Sequence, residues 1–288
     1  MREILASLFN RFRARPAAAS PRLAPGKLVY AVGDIHGRDD LLGELIERID
    51  DDRRRRHAIE TVIVFLGDLI DRGPASAKVV ERLRNFAPAG ARTVFLTGNH
   101  EEVLLRLLDG DDSLVASWLK FGGLQCCASY GLDPREIARM RSREAGDAIR
   151  GAVPASHRKF LGGFHDTVRI GDYLFVHAGI RPGVALDAQA QFDLRWIRQP
   201  FLDDRRDHGF IVVHGHTISD GVDQAVNRIG IDTGAYRSGV LTALAASGDS
   251  TWFLQTEHKS IRPGHDQTHD GQAGASLLTR GANAAVRA

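Results

Sequence analysis

Gly67-Asp68-Leu69-Ile70-Asp71-Arg72-Gly73 follows the β-branched and apolar run Thr61-Val62-Ile63-Val64-Phe65-Leu66. The run reads as a buried strand. A carboxylate at the carboxyl end of such a strand is held rigidly and faces the crevice where α/β proteins bind ligands. Gly67 and Gly73 let the backbone turn sharply and approach a ligand closely. Two acids and an arginine in one turn are the ingredients of a metal-bound phosphate site. An Asp at one strand end is commonly structural. Here four other strand ends finish in ligand-type residues as well.

Before this stretch, Leu28-Val29-Tyr30-Ala31-Val32 runs into Gly33-Asp34-Ile35-His36-Gly37. Leu41, Leu42, Leu45, Ile46 and Ile49 then share one helical face, with Asp39 or Asp40 as a candidate N-cap. The positive run at residues 53–56 reads as a solvated loop after that helix. Beyond the central stretch, Pro74 can begin a helix whose inner face is Val79, Val80, Leu83 and Phe86. A third strand, residues 92–97, ends in Gly98-Asn99-His100-Glu101, and Val103, Leu104, Leu107 and Leu108 continue as a helix. Three strand-turn-helix units argue for a sheet with helices on its face.

Residues 109–168 lose this rhythm and are expected to form a helical insertion on the rim of the site. The insertion holds Trp118, Phe121-Gly122-Gly123 and Tyr130-Gly131. The series then resumes. Tyr173-Leu174-Phe175-Val176 leads into His177-Ala178-Gly179, and Phe210-Ile211-Val212-Val213 into His214-Gly215-His216-Thr217. Ile229-Gly230-Ile231 leads into Asp232-Thr233-Gly234, and strands at 240–245 and 252–255 follow without helices between them. A strand-rich second half suggests a second sheet packed on the first.

The remaining segments frame this domain, expected at residues 27–257. Ile4, Leu5, Leu8, Phe9 and Phe12 have helical spacing among Arg2, Arg11, Arg13 and Arg15, so residues 1–26 read as a basic amphipathic extension and linker. Weak peripheral contact of residues 1–15 with an anionic membrane is one reading, and a frayed or self-packed helix is the other. Residues 258–288 have little to bury and are expected to be a disordered tail. The net charge of +2 gives no argument for an acidic partner, and no nucleic-acid partner is expected. The two cysteines, Cys126-Cys127, are adjacent, which suits neither a disulfide framework nor a zinc spacing and fits a reducing, cytoplasmic location. No apolar run reaches the length needed to cross a bilayer.

Asp34, His36, Asp68, Asn99, His177 and His216 form a hard-to-borderline ligand set for Mn, Fe, Zn or Co. Six ligands exceed what one catalytic ion with open positions can use, and they suit two ions sharing a carboxylate. The ordered series from Gly33-Asp34-Ile35-His36-Gly37 to Gly215-His216-Thr217 resembles the phosphoprotein phosphatase family of calcineurin-like metallophosphoesterases, most closely its bacterial and phage Ser/Thr phosphatase branch. The resemblance spans residues 29–252. It implies an α/β fold of two mixed β-sheets packed as a sandwich flanked by helices.

It also implies roles for individual residues. Asp34, His36 and Asp68 would hold one divalent ion, probed first as Mn. Asp68, Asn99, His177 and His216 would hold the other, with a bridging hydroxide as nucleophile. The Gly-His-Thr motif selects His216 over His214. Arg72 of the Asp-Arg-Gly motif and Arg198 of Trp196-Ile197-Arg198 would clamp phosphate with Asn99, and Tyr236 would face the substrate. His100, paired with Asp71, resembles the general acid; an imidazole that only hydrogen-bonds phosphate would use the same position.

The function expected on this basis is a dinuclear phosphomonoesterase acting on phosphoserine or phosphothreonine in a phosphoprotein or phosphopeptide partner. A symmetrical dinucleoside polyphosphate hydrolase is the alternative. The intact Asp71-Arg72-Gly73 and Glu101 in place of an Asp after Asn-His count against it. A catalytically weak, membrane-targeted binding protein comes last, because every expected ligand is present.

Overall fold

The computed structural model describes residues 22–257. Strands β1 (Lys27–Val32), β2 (Glu60–Phe65) and β3 (Ala91–Phe95) lie parallel, each followed by a helix: α1 (Asp39–Arg56), α2 (Ser76–Arg84) and α3 (Asn99–Leu108). The chain then leaves the sheet for a run of short helical segments that includes α4 (Leu124–Ser129), α5 (Ser142–Ala152) and α6 (Ala155–Leu161). It returns as β4 (Thr167–Ile170) and β5 (Tyr173–Val176), followed by α7 (Gln191–Trp196), β6 (Ile211–His214), β7 (Asp223–Gln224) and β8 (Arg228–Gly230). The hairpin of β9 (Thr242–Ser247) and β10 (Ser250–Gln255) closes the fold.

Two five-stranded sheets result, ordered β10-β9-β1-β2-β3 and β4-β5-β6-β8-β7. Both are mixed: β9 runs antiparallel to β1, and β4 and β7 antiparallel to their neighbours, while β5, β6 and β8 are parallel. The two-residue alternation of a strand decides what each face meets. Val29 and Ala31 of β1 and Val62 and Val64 of β2 pack against Tyr173, Phe175, Val213 and Ile229 of the second sheet. Leu28, Tyr30, Val32, Ile63 and Phe65 point the other way, into the helices. Leu174, Val176 and Val212 on the far face of the second sheet are covered by Leu194, Ile197 and Phe201. The expected α/β sandwich flanked by helices is therefore the fold.

Several boundaries differ from the sequence reading. The basic run Arg53, Arg54, Arg55 and Arg56 is the last turn of α1 and not a loop, where positive charge complements the helix carbonyls. Asp39 and Asp40 lie in the first turn of α1, and Arg38 occupies the cap position. Pro74 precedes α2 by a turn. The helical insertion ends earlier than residue 168, since β4 begins at Thr167. At the start, Leu23 is buried in the core between the sheets, its N–H donating to the Gly248 carbonyl at 2.8 Å. An apolar side chain four residues before β1 thus completes the inter-sheet core. The amphipathic stretch at residues 1–15 and the tail from 258 lie outside the described residues.

Candidate metal centre

All the motifs sit where strands end. β1 and β2 are in register from Lys27↔Glu60 to Val32↔Phe65, so the turns after them emerge side by side. Asp34 and His36 therefore lie beside Asp68, and the Ile35 and His36 N–H groups donate to the Asp68 carbonyl at 3.1 and 2.9 Å. Gly98 lets the third turn close on the second: a Cβ there would fall 2.2 Å from the Asp68 carboxylate. Backbone strain is concentrated here. Six non-glycine residues among those described have positive φ, and five are His36, Asp68, Asp71, Arg72 and His216. Left-handed backbone at such residues costs about 1–3 kcal/mol each and persists where surrounding structure over-determines it.

One such support was not anticipated from sequence. Glu101 is fully buried and accepts the N–H groups of Asp68 and Leu69 at 2.8 Å and of Gly98 at 3.0 Å. It ties the second and third turns together. Its carboxylate faces backbone, not the ligand cluster.

The expected ligands converge. Asp34, His36, Asp68, Asn99, His177 and His216 are all buried. Asp68 is common to two close groups of potential ligand atoms, His36-Asp68-His100 and Asp68-His177-His216. Asn99 Oδ1 lies 3.0 Å from His177 Nε2 and 2.9 Å from His216 Nδ1. Asp34 stands just outside the first group, its carboxylate accepting the His216 backbone N–H at 3.0 Å. His214 is elsewhere: its ring packs edge-on against Phe201 at 5.1 Å, and its Nδ1 lies 3.0 Å from the Gly215 carbonyl.

Protonation divides these histidines. His36 Nδ1 donates to the Ile70 carbonyl and His177 Nδ1 to the Leu66 carbonyl, both at 2.8 Å, which leaves each Nε2 as a lone pair when the ring is neutral. Burial pushes His36, His177 and His216 below the ordinary histidine value, so the neutral ring is favoured. His36 Nε2 then faces Asp68 Oδ2 at 3.5 Å, and His177 Nε2 faces the Asn99 oxygen, acceptor against acceptor. His36 Nε2 and His216 Nε2 have no hydrogen-bond partner. Each of these two histidines has a potential ligand atom within 4.8 Å of one on Asp68, and unpartnered buried acceptors gathered about a carboxylate fit bound cations.

His100 differs. Burial opposes its charge, but Asp68 and Asp71 outweigh burial and hold it above the ordinary histidine value. Its Nδ1 lies 2.6 Å from Asp71 Oδ2 and its Nε2 3.8 Å from Asp68 Oδ2. Of these four imidazoles, His100 alone is held toward its charged form by neighbouring carboxylates.

The carboxylates show the same need for positive charge. Asp34 is pushed well above the usual range by burial, Asp232 and Asp68. Asp232, first by burial, is pushed up to about 6. Asp68 is pushed up by burial, but His177, His100, His36 and His216 outweigh it and keep the carboxyl below the usual range. Asp232 belongs to the cluster although sequence reading named it only as the start of a turn; its place at the end of β8, like the other acids, was the available signal.

Two guanidiniums complete the surroundings. Arg72 lies over the Tyr236 ring at 4.9 Å, and Tyr236 meets His36 edge-on at 5.4 Å. Arg198 is pushed below its ordinary value by burial and by Arg72, against the pull of Asp68, Asp232 and Asp34. Among the described residues, neither side chain is hydrogen-bonded or ion-paired to a carboxylate. By contrast Arg38, Arg82, Arg150 and Arg181 all have such partners. A pair of cations left unpaired above a ligand cluster is a receptor for a bound anion. Trp196 borders the other side, 6.5 Å from the His216 ring.

Fold and site together define a metal-dependent phosphoesterase. The chain belongs to the calcineurin-like phosphoesterase family, whose profile matches residues 27–241. Over 266 residues it is 27% identical to a symmetrical bis(5'-nucleosyl)-tetraphosphatase of Janthinobacterium sp. (strain Marseille), covering 77% of this chain and 94% of that protein. A symmetrical bis(5'-nucleosyl)-tetraphosphatase of Methylococcus capsulatus is 26% identical over 263 residues, covering 76% and 92%. Among solved structures, a candidate diadenosine tetraphosphatase superposes with a TM-score of 0.57 at 20% identity, covering 83% of this chain and 95% of that one, which supports the fold. No helix among the described residues is long and apolar enough to cross a membrane.

Proposed function

We propose that this phosphoesterase hydrolyses dinucleoside polyphosphates, cleaving a bis(5'-nucleosyl) tetraphosphate symmetrically into two nucleoside diphosphates. The observation that carries the reading is the correspondence with the symmetrical tetraphosphatase of Janthinobacterium over 94% of that protein's length. The unpaired Arg72 and Arg198 suit a substrate with several phosphate charges. This reading is the alternative weighed from sequence, and the names of the relatives favour it over the serine/threonine phosphoprotein phosphatase expected first.

Asp34, His36 and Asp68 would hold one divalent ion, and Asp68, Asn99, His177 and His216 the second. Such a pair supplies Lewis acidity and makes a water nucleophilic near neutral pH. Arg72 and Arg198 bind the phosphate oxygens, and the Tyr236 ring packs beneath the Arg72 guanidinium. As water oxygen bonds to phosphorus and the bridging P–O bond breaks, His100 gives its Nε2 proton to the departing oxygen. Asp71 keeps Nδ1 as the donor and steadies the charged ring.

The test is a parallel assay of the metal-stripped protein reloaded with Mn, Fe, Zn, Co or Mg. Substrates are a dinucleoside tetraphosphate and phosphoserine and phosphothreonine peptides, with nucleotides separated by ion exchange. Two diphosphates, formed with a kcat/KM above that for the peptides, are expected. A higher kcat/KM for the peptides would restore the protein phosphatase reading, and mono- plus triphosphate would exclude symmetrical cleavage.

A further inference from the structure

His100 and Asp71 are joined by a third residue that comes from the helical insertion. Trp118 Nε1–H donates to Asp71 Oδ2 at 2.8 Å, the same oxygen that lies 2.6 Å from His100 Nδ1. All three side chains are at least 95% buried. The other oxygen, Asp71 Oδ1, is buried without a hydrogen-bond partner, and the Cys126 thiol lies beside the same carboxylate. The indole is itself held: a Cβ on Gly123 would fall 2.5 Å from its ring. The adjoining Gly122, at φ 110°, accepts the Arg72 N–H at 3.1 Å, and a Cβ there would fall 2.6 Å from Arg72.

We infer that Trp118 is a positioning residue for the His100–Asp71 pair, and that the insertion thereby sets the geometry of proton delivery. The inference rests on the acid role proposed for His100. Two donors on one oxygen restrict how the Asp71 carboxylate can turn, which in turn steadies the imidazole plane and keeps the Nε2 edge toward the cluster. Without the indole, the carboxylate can turn about Cβ–Cγ and offer its unpartnered oxygen, and the ring follows. Phosphate binding through Arg198 does not depend on this bond.

The substitution is Trp118→Phe, which keeps most of the ring and removes the donor. It is compared with His100→Ala and the double variant over substituted phenyl phosphates of rising leaving-group basicity. For wild type against Trp118→Phe, kcat is expected to fall about ten-fold with the most basic leaving groups, the scale of one hydrogen bond to a charged group. The fall should shrink toward p-nitrophenyl phosphate, with KM little changed. In the His100→Ala background the Trp118 substitution should cost nothing more. The metal-free protein gives a second readout. A hydrogen-bonded Nδ1 proton, identified by its loss in His100→Ala, should resonate far downfield in wild type and shift or broaden in Trp118→Phe.

A loss independent of leaving group, a loss that persists without His100, or an unmoved proton resonance would overturn the inference and leave Trp118 as packing. The acid role has its own arm: leaving-group independence of His100→Ala alone would remove that reading whatever Trp118 does.

Discussion

At the scale of single residues, the site is a set of acceptors arranged against their own electrostatics. Asp68 is the shared member of both ligand groups and lies among four histidines. Asp68→Asn is therefore expected to lower the content of both ions to near zero. His214→Ala should leave metal content near normal, since that ring packs on Phe201. The same contrast should appear in stability. Metal that binds only the folded state raises Tm by mass action, about 2.7 kcal/mol at a hundred times Kd, so added Mn should raise Tm of wild type and His214→Ala but not of Asp68→Asn. Metal analysis and thermal unfolding decide it; equal loss in both variants would mean that the wrong histidine or the wrong architecture is assigned.

At the scale of elements, the turns depend on what clamps the strands and helices behind them. Asp52, near the end of α1, accepts Tyr30 Oη–H of β1 at 2.7 Å, Trp252 Nε1–H of β10 at 3.0 Å and the Arg56 guanidinium at 3.1 Å. Arg56 lies 3.8 Å over the Trp252 ring. Burial pushes the Asp52 carboxyl up, but Tyr30, Arg56 and Trp252 outweigh it and hold the group below the usual carboxylate range. A depressed folded value means a contribution fully present above the unfolded value of about 3.9 and lost as pH falls through the lower folded one. Asp52→Ala should therefore cost about 1–3 kcal/mol at pH 7. The gap from wild type should start closing only below about pH 4. Urea unfolding across pH 2.5–7 measures this, and a gap that closes above pH 5 would contradict the assignment.

For the molecule as a whole, the sandwich begins earlier than its motifs. Leu23 closes one edge of the inter-sheet core, and Arg22 N–H donates to Asp172 at 2.8 Å. Removing residues 1–21 should leave Tm within about 2 °C of wild type. Removing 1–26 should also take away Leu23, worth about 1.5–3 kcal/mol of buried side chain, and lower Tm by several degrees. If the basic amphipathic N-terminus touches anionic membranes, only the intact chain should sediment with anionic vesicles, and salt should weaken it. Equal sedimentation of intact and truncated chains would exclude that contact.

The fold class and the candidate ligands were legible in the sequence. Strand runs, glycine turns and ligand-type side chains at five successive strand ends are local patterns, and their order along the chain is a linear property. Residues such as Asp34, His36, Asp68, Asn99, His177 and His216 could be named because each follows the end of a strand, Asp34 and His36 the same one. What faces what was not legible there. Trp118 lies in a stretch with no regular rhythm, and its indole reaches Asp71 across 47 positions. Asp232 joins Asp34 because β8 lies in the second sheet while β1 lies in the first. Glu101 is a clamp, because the direction of its carboxylate is set by the three N–H groups folded around it. Local pattern fixes which groups are available, and long-range packing, which no local pattern encodes, fixes where each one points.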